Sequence, residues 1–446
     1  MAQLWPLSPT ELSSPPAIIS AMPFDPYRRV LAVPGVRRQT LLGVVARIPH
    51  TAMGLVLTVH VTQTLGQGYA IAGLLVAALT VGMALGGPWR GRSVDRFGLR
   101  RALLPSVVGE LVLWSAAPWL PLPWLLAAVV LAGVLGLPVF TILRLALSVM
   151  VPEAQRRAAF ALDSVAVELS FMVGPALGVL VAIQVSTTVA LVAIGVFEAV
   201  AGLALMAVNP PTASVQRPTP ALAGAPPPEP PVPARQRIPV TGALVGVLGA
   251  AAGSTIVLAG TDVSVVATMR AGDHVAWTGL VLGIWAFASL LGGLVYGLLP
   301  RSIPPLVLLL VLGLLTAPVG LATTPVTLSL ALLAAGFLCA PVVTATAEVV
   351  TSLVPESIRG EAMGWHGSAL TSGVALGAPL AGAAIDHVGP WAGFSTVGVT
   401  GVLLAVLGLA AVRLRRQSRR GDPARGGEPD RDTVRATGPV SVSLRP

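Results

Sequence analysis

Six ionisable side chains lie inside long apolar stretches of this sequence, where lipid or protein would surround them instead of water. They are Glu110, Arg144, Glu168, Glu198, Asp262 and Glu348. An ionisable group is costly in such a place, so it marks a functional site by default. A carboxylate there can exchange a proton near neutral pH or attract a cation. These residue types therefore suggest the movement of protons or small molecules.

Four carboxylates are candidates for proton coupling: Glu168, Glu110, Glu198 and Asp262. Glu168 comes first because it precedes a glycine-proline motif by about a turn and a half of helix. The alternative for each is a protonated acid that only makes a hydrogen bond between helices. Asp262 also has two further interpretations, a site for a cationic substrate and an exposed residue at the mouth of a cavity.

Arg144 and Glu348 occupy near-equivalent places in the two halves of the chain, toward one end of their apolar stretches. We predict that they form a salt bridge that gates the inner side of the molecule. The alternative is two unrelated side chains that reach toward the lipid headgroups. Arg47 lies early in the first apolar stretch, and we expect it to snorkel in the same way.

Several chemistries are excluded by residue type. All 28 Lys+Arg residues are arginine, so neither a phosphate-binding loop lysine nor Schiff-base chemistry is available. Cys339 is the single cysteine, and the five histidines show no metal-ligand spacing. No nucleophile and base can be assembled into a set. We expect no cofactor, no metal and no enzymatic activity.

The composition points to lipid. The chain has 446 residues, of which 54% are hydrophobic and 11% charged, whereas soluble proteins carry about 25% charged residues. A transmembrane helix needs about 20 apolar residues. Twelve such runs lie near 40–64, 69–89, 103–119, 124–150, 160–183, 187–208, 240–268, 276–298, 304–322, 326–351, 361–385 and 391–412. We number them spans 1 to 12 and predict an all-α integral membrane protein with two six-helix bundles.

The arginines predict the orientation of the spans. They cluster in alternate loops and in both tails, while the opposite loops hold only Arg270. Because positive charge resists translocation, this bias predicts that both termini are cytoplasmic in a multi-pass protein of the cell inner (plasma) membrane. The formal net charge of +9 is thus a topology signal, and we expect no nucleic-acid partner.

Changes in composition divide the chain into five parts. We expect an unstructured cytoplasmic tail at 1–38, with Met1 and Met22 both possible starts of translation. A six-helix bundle follows at 39–208, a linker rich in proline and alanine at 209–238, a second bundle at 239–412 and a disordered cytoplasmic tail at 413–446. The halves look related, since a Val-Pro-Glu segment at 151–153 and again at 354–356 precedes spans 5 and 11. Such repeats place a substrate between the halves.

The loop between spans 2 and 3 carries the most specific motif. It reads Gly-Arg-Ser-Val-Asp-Arg-Phe-Gly-Leu-Arg-Arg over 91–101. Its glycines allow a tight turn and a close helix approach, and its aspartate can bind a helix N-terminus or pair with an arginine. Its arginines hold the loop at the cytoplasmic face. The fixed positions are Gly91, Asp95, Arg96, Gly98, Arg100 and Arg101.

This segment, the signature loop below, matches the G-x-x-x-D-R-x-G-x-R-R signature of the major facilitator superfamily. Over 38–412 the chain resembles the twelve-span drug and metabolite exporters of that superfamily. The resemblance implies a glycine-proline motif in span 5, which Gly174, Pro175 and Gly178 match in part. Val179 departs from its final glycine. The alternative for the loop is a merely basic segment that sets topology.

We interpret the chain as an alternating-access carrier that exports a small amphipathic compound, a drug or metabolite, in exchange for protons. An importer or uniporter of a sugar or organic acid is the first alternative. A membrane sensor or assembly partner without transport activity is the second. The expected partners are the lipid bilayer, a small-molecule substrate and protons, and we expect a monomer.

Overall fold

The computed structural model describes residues 25–212 and 241–420. This part of the chain is built from helices with short connections, and it contains no strand. A short N-terminal helix covers Asp25–Ala32. Spans 1 to 6 comprise Val36–Val59 with a π-helical turn at His60–Thr64, Tyr69–Phe97, Leu99–Ala116, Leu122–Leu135 with Val139–Met150, Arg156–Gln184 and Thr187–Val208. Spans 7 to 12 comprise Gly242–Ala271, Thr278–Leu298, Pro305–Thr316, Pro325–Leu353, Arg359–Val388 and Pro390–Arg420.

The predicted fold class is confirmed. Eleven described helices are long and apolar enough to cross a membrane, and span 9 is a shorter apolar helix at Pro305–Leu321. Short 3-10 turns lie at Ala117–Trp119, Glu153–Gln155, Val275–Trp277, Ala317–Leu321 and Glu356–Ile358. The first six spans form one bundle and the last six the other.

The predicted tails need correction where they are described. The N-terminal tail was expected to be unstructured to residue 38, but Asp25–Ala32 is helical and span 1 begins at Val36. Tyr27 and Val30 are buried because they pack between the two bundles, where the Tyr27 hydroxyl donates to the Leu294 carbonyl. The helix of span 12 continues to 420. The starts at Met1 and Met22, most of the linker and the last 26 residues lie outside the described residues.

The two bundles repeat the same contact between helices. In the first bundle, the Thr51 hydroxyl of span 1 donates to the Ser170 carbonyl of span 5 over 2.9 Å. In the second bundle, the Thr255 hydroxyl of span 7 donates to the Leu370 carbonyl of span 11 over 2.8 Å. A 3-10 turn precedes both span 5 and span 11. Spans 1 and 5 thus correspond to spans 7 and 11, as the sequence repeat predicted.

Span 4 is interrupted in the middle. Its two helices are separated at 136–138, where Gly136 is extended and Pro138 cannot donate a backbone hydrogen bond. Polar side chains from neighbouring spans satisfy the exposed backbone groups. Arg90 of span 2 donates to the Gly136 carbonyl, and Glu110 of span 3 accepts from the Leu137 amide over 3.3 Å.

Spans 2 and 11 cross between the bundles on glycine. Gly87 and Gly91 face Gly364 and Gly360, so backbone touches backbone where a Cβ would collide. Both helices therefore place glycines four residues apart on the contact, the small-residue spacing that lets membrane helices approach closely. This crossing lies at the end of the molecule that carries the signature loop, which we call the signature end.

We predict that Gly91→Val separates the bundles at the signature end. Overpacking a tight contact costs about 1–3 kcal/mol, which corresponds to roughly a fivefold or larger loss of the closed population. Spin labels at Ala154 and Ser352, exposed on opposite bundles, report the distance by electron–electron dipolar spectroscopy in a Cys339→Ala background. Gly73→Val is the matched control, since open space surrounds Gly73 on the same span. Identical distance distributions in the two variants would show that the close crossing is not required.

Candidate functional site

The signature loop engages the start of span 11. The Asp95 carboxylate accepts from the Gly360 amide over 2.9 Å and from the Glu361 amide over 2.7 Å. These amides belong to the first turn of a helix that begins at Arg359, where backbone donors have no partner within the helix and the dipole favours a negative charge. Asp95 therefore joins the first bundle to the second through a charge-assisted helix cap.

A salt bridge and a hydroxyl bond surround this cap. Arg92 lies 2.5 Å from the Glu361 carboxylate, although its side chain is 67% exposed, so the pair itself contributes little. Deeper in the membrane, the Ser368 hydroxyl donates to the Ala84 carbonyl over 2.5 Å. The cap and the Ser368 bond are the stronger links between spans 2 and 11.

The remaining signature residues fix the loop on its own bundle. Gly98 has φ +75°, a conformation that favours glycine, at the turn into span 3. Arg100 donates to the Met206 carbonyl at the end of span 6 over 2.9 Å, and Arg96 lies over the Phe97 ring. Arg101 is exposed.

The predicted pair of Arg144 and Glu348 does not form. Glu348 of span 10 instead accepts two hydrogen bonds from Arg157 of span 5, over 3.0 and 3.2 Å. Arg157 also donates to the Leu299 carbonyl over 2.6 Å. Glu348 therefore does join the bundles at the signature end. Its partner is Arg157, which lies just before the predicted start of span 5.

Arg144 belongs to a buried triad inside the first bundle. Asp163 of span 5 lies 3.0 Å from Arg144 and 2.6 Å from Arg47 of span 1. All three side chains are at most 5% exposed. The expectation that Arg47 reaches toward the lipid headgroups was therefore wrong. The alternative interpretation of Arg144, in which it also reaches toward the headgroups, was wrong for the same reason. The Asp163 carboxylate holds both arginines inside because it satisfies each of them directly.

Glu168 lies near the middle of the seam, which is the contact surface between the bundles, and Asp262 is near enough for the two charges to influence each other. The Ser289 hydroxyl of span 8 donates to Glu168 over 2.8 Å, and one turn nearer the signature end Ser164 bonds Thr344 over 2.8 Å. Asp262 of span 7 is exposed, and its charge and that of Glu168 act on each other. Each bundle thus contributes one carboxylate to the central space.

Glu110 and Glu198 do not reach the central space. Both are buried within the first bundle, at 1% and 0% exposure, and His50 lies 3.4 Å from Glu198. The structure therefore separates the four proton-coupling candidates into a pair at the seam and a pair inside one bundle.

The span 5 motif is a packing surface against span 1. Gly174 meets the Ile48 carbonyl and the Thr51 hydroxyl, and Gly178 meets the side chains of Ala52 and Val56. Pro175 lies between them inside the continuous helix of span 5. The motif brings spans 1 and 5 of the first bundle together on the side of Glu168 that points away from the signature end.

Sequence reasoning missed several titratable residues that bind across helices, among them Arg92, Arg157, Asp163, Glu361 and His50. Asp163 stood within the predicted span 5, so its position inside an apolar run was an available signal. Arg157 lay in a loop assigned to topology, and Glu361 was the first residue of predicted span 11. Their partners depend on which helices meet, and a single sequence does not contain that information.

The inter-bundle hydrogen bonds and ion pairs of residues 25–212 and 241–420 extend from the signature end to the level of Glu168. Two six-helix bundles that hold together at one end are the architecture of a secondary transporter. The chain belongs to the major facilitator superfamily. The family model of the Major Facilitator Superfamily matches residues 40–333 and 275–444.

Solved transporters share this fold. The human organic anion transporter MFSD10 is 19% identical, with a TM-score of 0.65 over 86% of this chain and 99% of that one. A bacterial homologue of the iron transporter ferroportin, in an outward-facing state, is 15% identical, with a TM-score of 0.63 over 86% and 100%. The proton:xylose symporter XylE is 14% identical, with a TM-score of 0.57 over 84% and 96%. No curated protein sequence matches the chain significantly.

We predict that Arg157 and Glu348 are energetically coupled in closing the signature end. Hydrogen bonds to charged groups contribute about 1.5–3 kcal/mol, so Arg157→Ala and Glu348→Ala should each lower the closed population by roughly tenfold. The double variant should add little to either single one. The distance between labels at Ala154 and Ser352 measures this, with Arg301→Gln as a control at an exposed site of the same end. Additive effects would mean that the pair is not coupled.

A second prediction concerns the triad. Asp163→Asn leaves two buried guanidinium groups without a counter-charge, which costs about 3–5 kcal/mol for a broken buried pair. We expect a large fall in the thermal unfolding temperature of the purified protein, whereas Asp386→Asn, at an exposed carboxylate, should leave it unchanged. An unchanged unfolding temperature in Asp163→Asn would mean that the triad is not a stabilising element.

Proposed function

We propose that this transporter exports a small amphipathic cation in exchange for protons. The observation that carries the proposal is the pair of carboxylates in the central space, Glu168 from the first bundle and Asp262 from the second. Neither forms an ion pair with an arginine or histidine in the described part of the chain. Two acids without a counter-charge attract either protons or a cation.

This arrangement supports exchange. A cation bound between the two carboxylates replaces their protons, and protons that return displace the cation. Because the acids belong to different bundles, a bound cation also contacts both halves at once. Such a cation shifts the equilibrium between two conformational states of the transporter only if it binds them with different affinities.

The orientation of the structure follows from the arginine bias. We propose that the signature end faces the cytoplasm of a plasma-membrane protein, with both termini inside. The structure is then closed to the cytoplasm, and its central site faces outward. We propose that one chain is the functional unit, since both carboxylates and both bundles belong to it.

The alternatives differ in the charge of the cargo. An organic acid would meet two carboxylates of its own sign in the central space, which disfavours an anionic cargo. MFSD10 is named an organic anion transporter and XylE a xylose symporter, but at 19% and 14% identity they support only the fold. A sugar importer or uniporter remains the first alternative, and a non-transporting sensor the second. The helix cap that Asp95 makes on span 11 is complete, and this favours a transporter that changes conformation over a non-transporting sensor.

The test uses purified protein in liposomes with an imposed pH gradient and a trapped pH dye. Lipophilic amines, organic anions, sugars and divalent metal ions are added separately to the wild type, Glu168→Gln and Asp262→Asn. We expect proton flux with amines only, and a loss of at least about tenfold in both variants because each removes a charge that binds the amine. Asp386→Asn is the matched carboxylate control and should behave as wild type.

Two outcomes would contradict the proposal. Amine movement without proton flux would indicate a uniporter, and flux driven by anions or sugars would exclude a cationic cargo. If no compound moves while the wild type still binds amines, the sensor alternative gains support.

A further inference from the structure

A second acid–histidine site lies inside the first bundle, away from the central space. Glu198 of span 6 is completely buried, and neither of its carboxylate oxygens has a hydrogen-bond partner. The Nδ1 atom of His50 on span 1 lies 3.4 Å from Oε1. An ionised carboxylate without a donor is very unfavourable in a buried site. A proton is the ligand that completes this pair, because it removes the net negative charge that an ionised Glu198 would carry beside a neutral imidazole.

The neighbouring charged groups already have other bonds. Arg90 of span 2 is bound to the Gly136 carbonyl and Glu110 of span 3 to the Leu137 amide, both at the break in span 4. The charges of Arg90 and Glu110 act on each other and on His50. They hold the break together and leave Glu198 without a direct partner. Glu198 is therefore the acid of this cluster without any hydrogen bond, whereas Glu110 has one, from the Leu137 amide to Oε1.

His50 is the more accessible member of the pair. Its side chain is 15% exposed, whereas that of Glu198 is 0% exposed. It meets the edge of Phe140, which packs against the exposed Phe171 of span 5. An imidazole ring can accept a proton on one nitrogen and release one from the other. The accessible member of the pair is thus a group that can take up and release a proton.

The same aromatic ring connects this pair to the seam. Arg47, one turn before His50, lies over the Phe140 ring at 5.0 Å and pairs with Asp163, which also holds Arg144. Arg144 lies on the second helix of span 4, which packs on span 11 of the other bundle, where Thr141 lies beside Gly367. A series of packed side chains therefore runs from Glu198 through Phe140 and the triad to the helix that contacts the second bundle.

We propose that His50 and Glu198 form a second proton-binding site, and that its protonation biases the closure of the signature end through Arg47, Asp163 and Arg144. The groups that face the site are His50 and Arg47 from span 1, Arg90 from span 2, Glu110 from span 3 and Glu198 from span 6; spans 4 and 5 contribute Arg144 and Asp163 one layer away. The idea deepens the proposed proton coupling and rests on it for its role in transport. The site itself does not require that a substrate moves.

The experiment removes the central site first. Spin labels at Ala154 and Ser352 report closure in a Glu168→Gln, Cys339→Ala background, without substrate, as the pH is lowered from about 8 to about 5, the range in which histidine titrates. We expect a pH-dependent shift in the distance distribution that is lost on adding Glu198→Gln. Infrared difference spectra of the same samples should lose the band of one protonated carboxyl group.

Controls separate folding from titration. Glu198→Gln keeps the size of the side chain and mimics the protonated acid, and His50→Gln tests the site through its other member. Both should elute as folded protein and both should abolish the shift. Asp386→Asn should retain it. A shift that survives in Glu198→Gln and in His50→Gln, with the carboxyl band unchanged, would overturn the inference.

The two proposals fail in different ways. If liposomes show no coupled flux but the pH-dependent shift still requires Glu198, the second site stands and the exporter does not. If flux is coupled to protons while Glu198→Gln changes neither the shift nor the flux, the exporter stands and the second site does not.

Discussion

A charge that leaves water for a hydrocarbon environment must find a partner, take up or release a proton, or return to the surface, and this constraint organises the molecule. Asp163 holds Arg47 and Arg144 because two guanidinium groups surround one carboxylate. Asp95 finds the unpaired amides of span 11. Glu198 and the central carboxylates lack such partners. The groups that the fold leaves unpaired are those that a proton or a cation would satisfy.

The two halves share one architecture and use it differently at the seam. Spans 2 and 11 cross on glycine and are joined by Asp95, whereas the corresponding loop of the second half has lost its charged motif. At the corresponding site of the second half, the N-terminal helix fills the gap between the bundles. Its Tyr27 packs on Gly297 beside Ala161 and donates to the Leu294 carbonyl. One side of the seam is thus closed by Asp95, and the other by Tyr27 together with the Arg157–Glu348 ion pair. The closed end depends on different physical interactions at its two sides.

The fold could be predicted from the sequence because hydropathy and arginine distribution are properties of single segments. The positions of the glycines at 87, 91, 360 and 364 were visible as well, but their contact was not. Pairing is a property of two helices, which explains why Arg144 was assigned to Glu348 in place of Asp163. Both pairings fit the same rule that buried charges are paired. The choice between them requires the crossing of spans 1, 4 and 5, which no local pattern contains.

The break in span 4 explains why the first bundle has room for a charged interior. An unbroken helix satisfies its own carbonyl and amide groups and would leave Arg90 and Glu110 without backbone partners at that depth. The interruption at 136–138 supplies both a carbonyl and an amide, so a cation from span 2 and an acid from span 3 can remain buried. Once these two are fixed, Glu198 is the acid without a bond, and His50 is the group beside it. The unpaired acid is therefore a consequence of the broken helix, and the capacity to bind a proton follows from the backbone of span 4 as much as from the side chains around it.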